Sequence, residues 1–196
     1  MTEVSMIGID LAKHSFQLHG ATADGSVAFR RKVGREKVLE VVGSYPRCVV
    51  AMEACASAHY WGREIGALGH EVQLIAPAFV KPFVKRQKND AADAEAICEA
   101  AQRPTMRFVA VKSEDQQARG MLFRTRDLLV GQRTQTINAL RGHLAEFGVV
   151  AAQGPAKVIR LAEVLEDPGS GLLEEVRELG RLLVRQIAGF DERIAE

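Results

Sequence analysis

The chain has 196 residues, of which 47% are hydrophobic and 26% are charged, and its formal net charge is +1. This length and composition indicate a globular protein with one sizeable core and an appendage, and they exclude a disordered or strongly acidic chain. The low net charge does not exclude nucleic acid as a partner, because basic clusters can be local.

The cysteines and the apolar runs exclude further classes of protein. The three cysteines form no Cys-x-x-Cys pair, which argues against a disulfide framework or a zinc ribbon and for a reducing cytoplasm. No apolar run reaches the roughly 20 residues that a membrane span requires, and the N-terminus has no basic n-region. We therefore expect neither a membrane span nor a signal peptide.

The first third of the chain carries strand patterns. Residues 4–10 are apolar and β-rich, which predicts a buried strand, and residues 15–22 and 27–33 predict two more strands joined by a hairpin turn. Residues 35–44 then predict a helix. Three antiparallel strands thus open the predicted sheet.

Strand and helix patterns alternate in the next segment. Residues 48–53 and 71–75 predict strands, and residues 57–68 predict a helix that buries Tyr60 and Trp61. A further helix begins at Asp90 and ends before Pro104. Antiparallel strands followed by this alternation predict an α/β fold with a mixed sheet and helices on its faces.

Beyond about residue 112 the β-rich runs stop. Helical patterns cover residues 114–147, 155–166 and 172–195. The last of these carries an apolar seam that seeks a partner helix: Leu172, Val176, Leu179, Leu183, Ile187, Phe190 and Ile194. We therefore predict two domains, residues 1–112 and residues 113–196, the second an all-α helical hairpin or coiled coil that forms a homo-oligomer (dimer or tetramer).

Two carboxylates stand three residues apart at Asp90 and Asp93. On a helix this spacing puts both side chains on one face, which suits a divalent metal that needs several oxygen ligands. The alternative is a helix N-cap and a second acid in the first turn, both favoured by the helix dipole.

Two more acids, Asp10 and Glu53, end predicted buried strands. Functional groups of open α/β sheets gather beyond the carboxyl ends of strands, so these acids could converge with Asp90 and Asp93. Four such charges repel one another unless cations neutralise them, and two divalent ions would also support displacement at a phosphodiester. The alternative, that Asp10 and Glu53 merely end strands in solvated loops, stays open.

Four short motifs carry a family resemblance. In order along the chain they are Gly8-Ile-Asp-Leu-Ala-Lys13, Met52-Glu-Ala54, Pro77-x-x-Val-Lys-x-Phe83 and Lys88-Asn-Asp-x-x-Asp-Ala94. Over residues 5–148 the chain resembles the DEDD transposases of bacterial insertion sequences, which include bridge-RNA-guided recombinases and are similar to DNA invertases of the Piv type.

The resemblance implies a fold, a site and partners. The fold is ribonuclease-H-like (RuvC-like), and Asp10, Glu53, Asp90 and Asp93 are the catalytic acids that bind Mg²⁺ or Mn²⁺, as two ions. The partners are DNA and a guide (bridge) RNA, in the cytoplasm and associated with the nucleoid. Family members carry a further domain with a nucleophilic serine, which we expect this chain to lack, so that it should nick DNA at most and not rejoin it.

Basic residues offer contacts to nucleic acid. Lys81, Lys85, Arg86 and Lys88 lead into the acidic helix, where they would hold a phosphate backbone or form a solvated charged run. Further along lie Arg119, Arg126, Arg133 and Arg141, the first three on the apolar side of the long helix. They contact nucleic acid or pair with acids of the last helix such as Glu174, Glu175 or Glu178.

Two other functions compete with a DNA-processing enzyme. Sugar kinases and actin-like ATPases also open with an Ile-Gly-Ile-Asp strand, but the turn here, residues 10–13, lacks the glycine that lets a backbone approach phosphate. The other alternative is a dimeric scaffold that binds RNA or DNA without catalysis.

Overall fold

The computed structural model describes residues 3–84, 90–154 and 157–196, apart from the side chains of Asp90 and Ala91. The chain divides into two compact units. One ends at Asp115, and the other runs from Gln116 to Glu196. Each unit has its own core.

The first unit is built on a six-stranded sheet. Its strands are β1 (Met6–Asp10), β2 (Ser15–Ala21), β3 (Val27–Gly34), β4 (Val49–Glu53), β5 (Glu71–Ile75) and β6 (Phe108–Val109), in the spatial order β3-β2-β1-β4-β5-β6. Strand β2 pairs antiparallel with both β1 and β3. Strand β4 pairs parallel with both β1 and β5. This mixed sheet with flanking helices is the α/β arrangement that the sequence patterns predict, and its strand order is that of the ribonuclease-H-like fold that the resemblance implies.

The helices of this unit are α1 (Val38–Gly43), α2 (Ala58–Ala67), α3 (Pro77–Val80) and α4 (Asp90–Ala101). A single 3-10 turn precedes α1, and another, Lys81–Phe83, follows α3. Strand β6 is an element that the sequence analysis missed. The prediction that Tyr60 is buried is wrong: Tyr60 is 45% exposed, whereas Trp61 beside it is 5% exposed.

The two faces of the sheet pack against different helices, because side chains alternate along each strand. Ile7 and Ile9 of β1 join Val50 and Met52 of β4 in the core that also contains Trp61 of α2. The opposite face carries small residues. Ala51 packs with residues of α4, and a Cβ added at Gly8 would overlap the Ala94 carbonyl oxygen and lie 2.9 Å from Cys98 Cβ. Helix α4 therefore lies directly on β1.

The second unit contains only helices among its described residues. Its core lies between α5 (Glu114–Ala145), α6 (Val158–Glu166) and α7 (Glu174–Ala195). Buried there are Ile137, Leu140, Leu144, Val158, Leu161, Leu165 and Ile187. The predicted seam of α7 is thus partly covered within the chain, while Leu179 stays 64% exposed. None of the helices described is long and apolar enough to cross a membrane.

Candidate active site

Asp10 and Glu53 end two neighbouring parallel strands. Ile9 lies opposite Met52 in the β1–β4 ladder, so Asp10 and Glu53 occupy the next position of the same register. Each is two residues beyond a small residue, Gly8 or Ala51, that faces α4. Both carboxylates therefore project on the α4 face of the sheet, at its carboxyl edge.

Asp93 approaches this pair from the first turn of α4. It directly precedes Ala94, whose carbonyl group lies over Gly8. Burial, and in second place the negative charge of Asp93, raises the pKa of the Glu53 carboxyl above its usual value. The two carboxylates are thus close enough to repel each other.

Cys55 reports on the same cluster. Burial raises the pKa of its thiol, and the charges of Glu53 and Asp10 raise it further. The Cys55 thiol thus lies near both Asp10 and Glu53. The structure therefore places Asp10, Glu53 and Asp93, three of the four predicted acids, at one edge of the sheet.

The fourth acid and part of the basic run cannot be placed in this way. Asp90 begins α4, but its side chain lies outside the described part of the chain. Lys85, Arg86 and Lys88 also lie outside the described residues. Lys81 is exposed in the 3-10 turn that follows α3.

The chemistry of the described acids fits a hard divalent cation. Carboxylate oxygens are the ligands that Mg²⁺ and Mn²⁺ prefer. A bound cation would offset the burial of the Glu53 carboxylate and its repulsion by Asp93, the two causes that raise the pKa of Glu53. No three potential ligands in the described residues already stand at metal-binding separation. A full ligand set would therefore need Asp90 or an adjustment of side chains.

The four arginines of α5 that the sequence analysis proposed as nucleic-acid contacts fall into two groups. Arg119 and Arg126 are exposed. The Arg133 guanidinium lies 2.5 Å from the Asp191 carboxylate of α7, and Arg141 donates two hydrogen bonds to the Ala151 carbonyl oxygen, at 3.2 and 2.9 Å. The last two thus already have partners within the helical unit.

Glu174, one of the acids predicted to pair with these arginines, has other partners. Glu174 pairs with Arg177 at 3.2 Å and with Arg181 at 3.0 Å. Arg181 also pairs with Glu166 of α6 at 3.0 Å. The acid of α7 that pairs with Arg133 is Asp191 and not the predicted Glu174, Glu175 or Glu178.

The sequence analysis passed over the residues that let α4 approach the sheet. Gly8 and Ala51 stand two positions before Asp10 and Glu53, each between apolar residues of a buried strand. That signal is present in the sequence: a small residue followed at i+2 by an acid, in two parallel strands. The small residue indicates where a helix packs closely on the sheet, and the acid two positions later projects on that same face.

Comparison with known proteins was made for the sequence and for the fold. A family model described as transposase, of the DEDD type found in IS110, matches residues 7–148. A Pseudomonas aeruginosa protein named "Probable family 20 transposase" is 48% identical and matches 97% of this chain and 59% of its own length. The transposase for insertion sequence element IS1328 of Yersinia enterocolitica is 47% identical, over 85% of this chain and 50% of its own. This chain thus spans about half the length of the curated relatives it matches.

Among solved structures, Thermus thermophilus RuvC in complex with a Holliday junction substrate covers 53% of this chain and 98% of its own. The identity is 16% and the TM-score is 0.38.

Proposed function

Because the chain belongs to the family of DEDD transposases of the IS110 type, we propose that it supplies the metal-dependent DNA-cleavage site of an insertion-sequence transposase. The observation that carries this proposal is the meeting of Asp10, Glu53 and Asp93 at the carboxyl edge of two parallel strands. Asp90 joins them through the family motif, as the fourth acid.

The carboxylates would hold Mg²⁺ or Mn²⁺, as two ions. When bound, such ions supply Lewis-acid activation of the attacking oxygen and neutralise charge on the leaving oxygen of a phosphodiester. Asp10 and Glu53 hold their positions through the β1–β4 ladder, and Asp93 holds its position through α4. The rigid scaffold fixes the spacing of the ligands, which is what a reaction driven by positioning requires.

Contacts to DNA come from both units in this proposal. Lys81, with Lys85, Arg86 and Lys88 next to it in sequence, would hold the phosphate backbone near the acids. In the helical unit we assign this role first to Arg119 and Arg126, since Arg133 and Arg141 have internal partners. A guide RNA is a second ligand for the same arginines, with the resemblance to RNA-guided recombinases as support.

We further propose that the helical part, about residues 113–196, forms a dimer or tetramer, while residues 1–112 form the nuclease domain. The support is apolar surface on α5 and α7. Met121, Leu122, Phe123, Leu128 and Leu179 are all at least 60% exposed. Paired copies would remove this surface from water, at about 25 cal/mol per Å². The place of action in this proposal is the bacterial cytoplasm, at the nucleoid.

Thermal unfolding with and without metal tests the site. Mg²⁺ or Mn²⁺ should raise the Tm of the chain, and Asp10→Asn, Glu53→Gln or Asp93→Asn should each reduce that gain. Asp127→Asn, at an exposed position of α5, is the matched control and should leave the gain intact. The same variants should lose Mn²⁺-dependent nicking of supercoiled plasmid.

An equal metal response in the three site variants and in the wild type would contradict the metal site. Salt-sensitive DNA binding that persists in that case would favour the alternative, a scaffold that binds nucleic acid without cleaving it. The exposed apolar residues of α5 and α7 support this alternative, because a dimeric scaffold would bury them between its copies.

A further inference from the structure

A groove lies beside α4 on the same side of the sheet as the candidate acids. It opens between the 3-10 turn Lys81–Phe83 and the connection from α4 to β6, and its volume is about 590 Å³. Phe79 and Phe83 line one side, and Met106 and Arg107 line the other. This volume falls in the range of small-ligand sites, about 300–1,000 Å³.

The aromatic side chains of the groove are placed for stacking. Phe79 is 47% exposed, whereas Val80, the next residue of α3, is buried. Phe83 packs partly against the residues of α4, and the Arg103 guanidinium lies 5.4 Å from the centre of its ring. An exposed ring beside a ring already covered by arginine is the arrangement that takes a planar base.

The charge of the groove selects an anionic partner. None of the described residues that line it is acidic. Arg103 is paired with Glu99 at 2.8 Å, but no carboxylate in the described part of the chain pairs with Arg107 or with the adjacent Lys81. Cations beside aromatic rings match a nucleotide, which has a phosphate and a base, better than an apolar peptide.

The sheet register sets the groove close to the candidate acids. Ile75 of β5 lies opposite Glu53 in one ladder and opposite Phe108 of β6 in the other. Phe108 is therefore two strand spacings, about 10 Å, from Glu53. Arg107 directly precedes it. At about 3.4 Å per nucleotide along one strand of a duplex, the separation corresponds to about three nucleotides.

We propose that the groove formed by Phe79, Phe83 and Met106 binds an unstacked base of the DNA strand next to the cleavage site. Phe79 stacks on the base, and Arg107 and Lys81 contact the flanking phosphates. This inference rests on the proposed function, which brings DNA to this edge of the sheet. It adds a subsite that reads the strand as single-stranded, a few nucleotides from the acids.

Oligonucleotide binding by fluorescence anisotropy tests the subsite. The probes are a short fluorescein-labelled oligothymidylate and an abasic oligonucleotide with the same number of phosphates, in EDTA so that the metal site plays no part. Phe79→Ala should weaken binding of the oligothymidylate about 5- to 100-fold and leave the abasic probe unaffected. Phe79→Trp should retain the affinity, whereas Phe79→Leu, apolar but not aromatic, should lose it.

Two controls separate stacking from general effects. Tyr60→Ala removes a ring of nearly equal exposure, 45%, from α2 on the opposite side of the sheet, and it should change neither affinity. Arg107→Ala should weaken both probes and reduce the slope of log affinity against log salt by about 0.7.

A loss in Phe79→Ala that is no larger than in Tyr60→Ala, or that is equal for both probes, would overturn the subsite. Binding of an oligouridylate that is tighter than that of the oligothymidylate, with the Phe79 effect confined to it, would overturn its assignment to DNA. Asp10→Asn should keep the Phe79-dependent binding. The metal site can therefore fail in its own test while the subsite holds, and the reverse is also possible.

Discussion

Replacing Gly8 with alanine should separate α4 from β1. The added Cβ would overlap the Ala94 carbonyl oxygen and lie 2.9 Å from Cys98 Cβ. Both contacts involve the backbone or the root of a side chain, which cannot rotate away. Because Ala94 directly follows Asp93, a retreat of the helix moves that acid away from Glu53.

The size of the effect follows from the overlap. Carbon atoms attract best at about 3.5–4.0 Å, so the Cys98 contact alone requires α4 to retreat by about 0.6 Å, and the Ala94 oxygen requires more. Overpacking of this kind costs about 1–3 kcal/mol of the free energy of unfolding. A misplacement of about 1 Å at a reacting centre costs about 100-fold in rate. We therefore expect a moderate loss of stability and a large loss of function.

Three measurements on the Gly8→Ala variant test this: urea unfolding, the rise in Tm caused by Mn²⁺, and nicking of supercoiled plasmid. Gly20→Ala is the matched control. A Cβ there would overlap the ring of Phe29, on the face of the sheet away from α4. It should lower stability by a similar amount, because Phe29 is stacked on Tyr45, and leave the metal response in place.

Equal metal responses in the two glycine variants would refute the reasoning. So would a Gly8→Ala protein with full nicking activity. In either case the contact between α4 and β1 would not set the position of Asp93, and its closeness to Glu53 would need another cause.

Three further predictions concern charge and assembly. The raised pKa of Glu53 means that the folded state binds a proton at this carboxyl more tightly than the unfolded chain does, so the stability that the protonated carboxyl contributes is lost as pH rises through the folded-state pKa. Glu53→Gln in EDTA should therefore raise the Tm at neutral pH, and this gain should vanish below about pH 4. Arg126→Ala should lower the salt slope of duplex DNA binding by about 0.9 without a change in Tm, whereas Arg133→Ala should lower the Tm and leave the slope alone, because Arg133 pairs with Asp191. Light scattering should show a dimer or tetramer that Leu122→Glu shifts toward monomer, and a monomeric wild type at high micromolar concentration would contradict the assembly.

Much of the candidate site could be predicted from the sequence because two of its acids stand at strand ends. A buried strand leaves a strong pattern, and the residue that ends it is fixed to within one position, as Asp10 and Glu53 show. Parallel pairing of the two strands then follows from the connection between them, which contains a helix. What the pattern could not supply is the height of α4 above the sheet, which depends on Gly8 and Ala51.

The missed features depend on contacts between distant segments. Strand β6 has two residues, too few for any periodicity, and it exists because the edge of β5 is available for pairing. Tyr60 neighbours Trp61 in sequence but points about 100° away around the helix, and in this helix it is Trp61 that faces the core. The partner of Arg133 depends on the register between α5 and α7, and sequence periodicity gives the face of a helix but not that register.

The placement of Asp93 costs free energy that packing must offset. Burial first, and the negative charge of Asp93 second, raise the pKa of Glu53, so both oppose the docking of α4 while the carboxylates are charged. Helix α4 nevertheless stays in place, since its alanines lie close to the sheet and the Glu95 carboxylate pairs with Arg30 of β3 at 2.8 Å. These contacts involve none of Asp10, Glu53 and Asp93, so we expect them to hold α4 in place independently of a cation. Neutralising the acids with a cation should then strengthen the docking of α4, so that the metal raises the stability of the first unit.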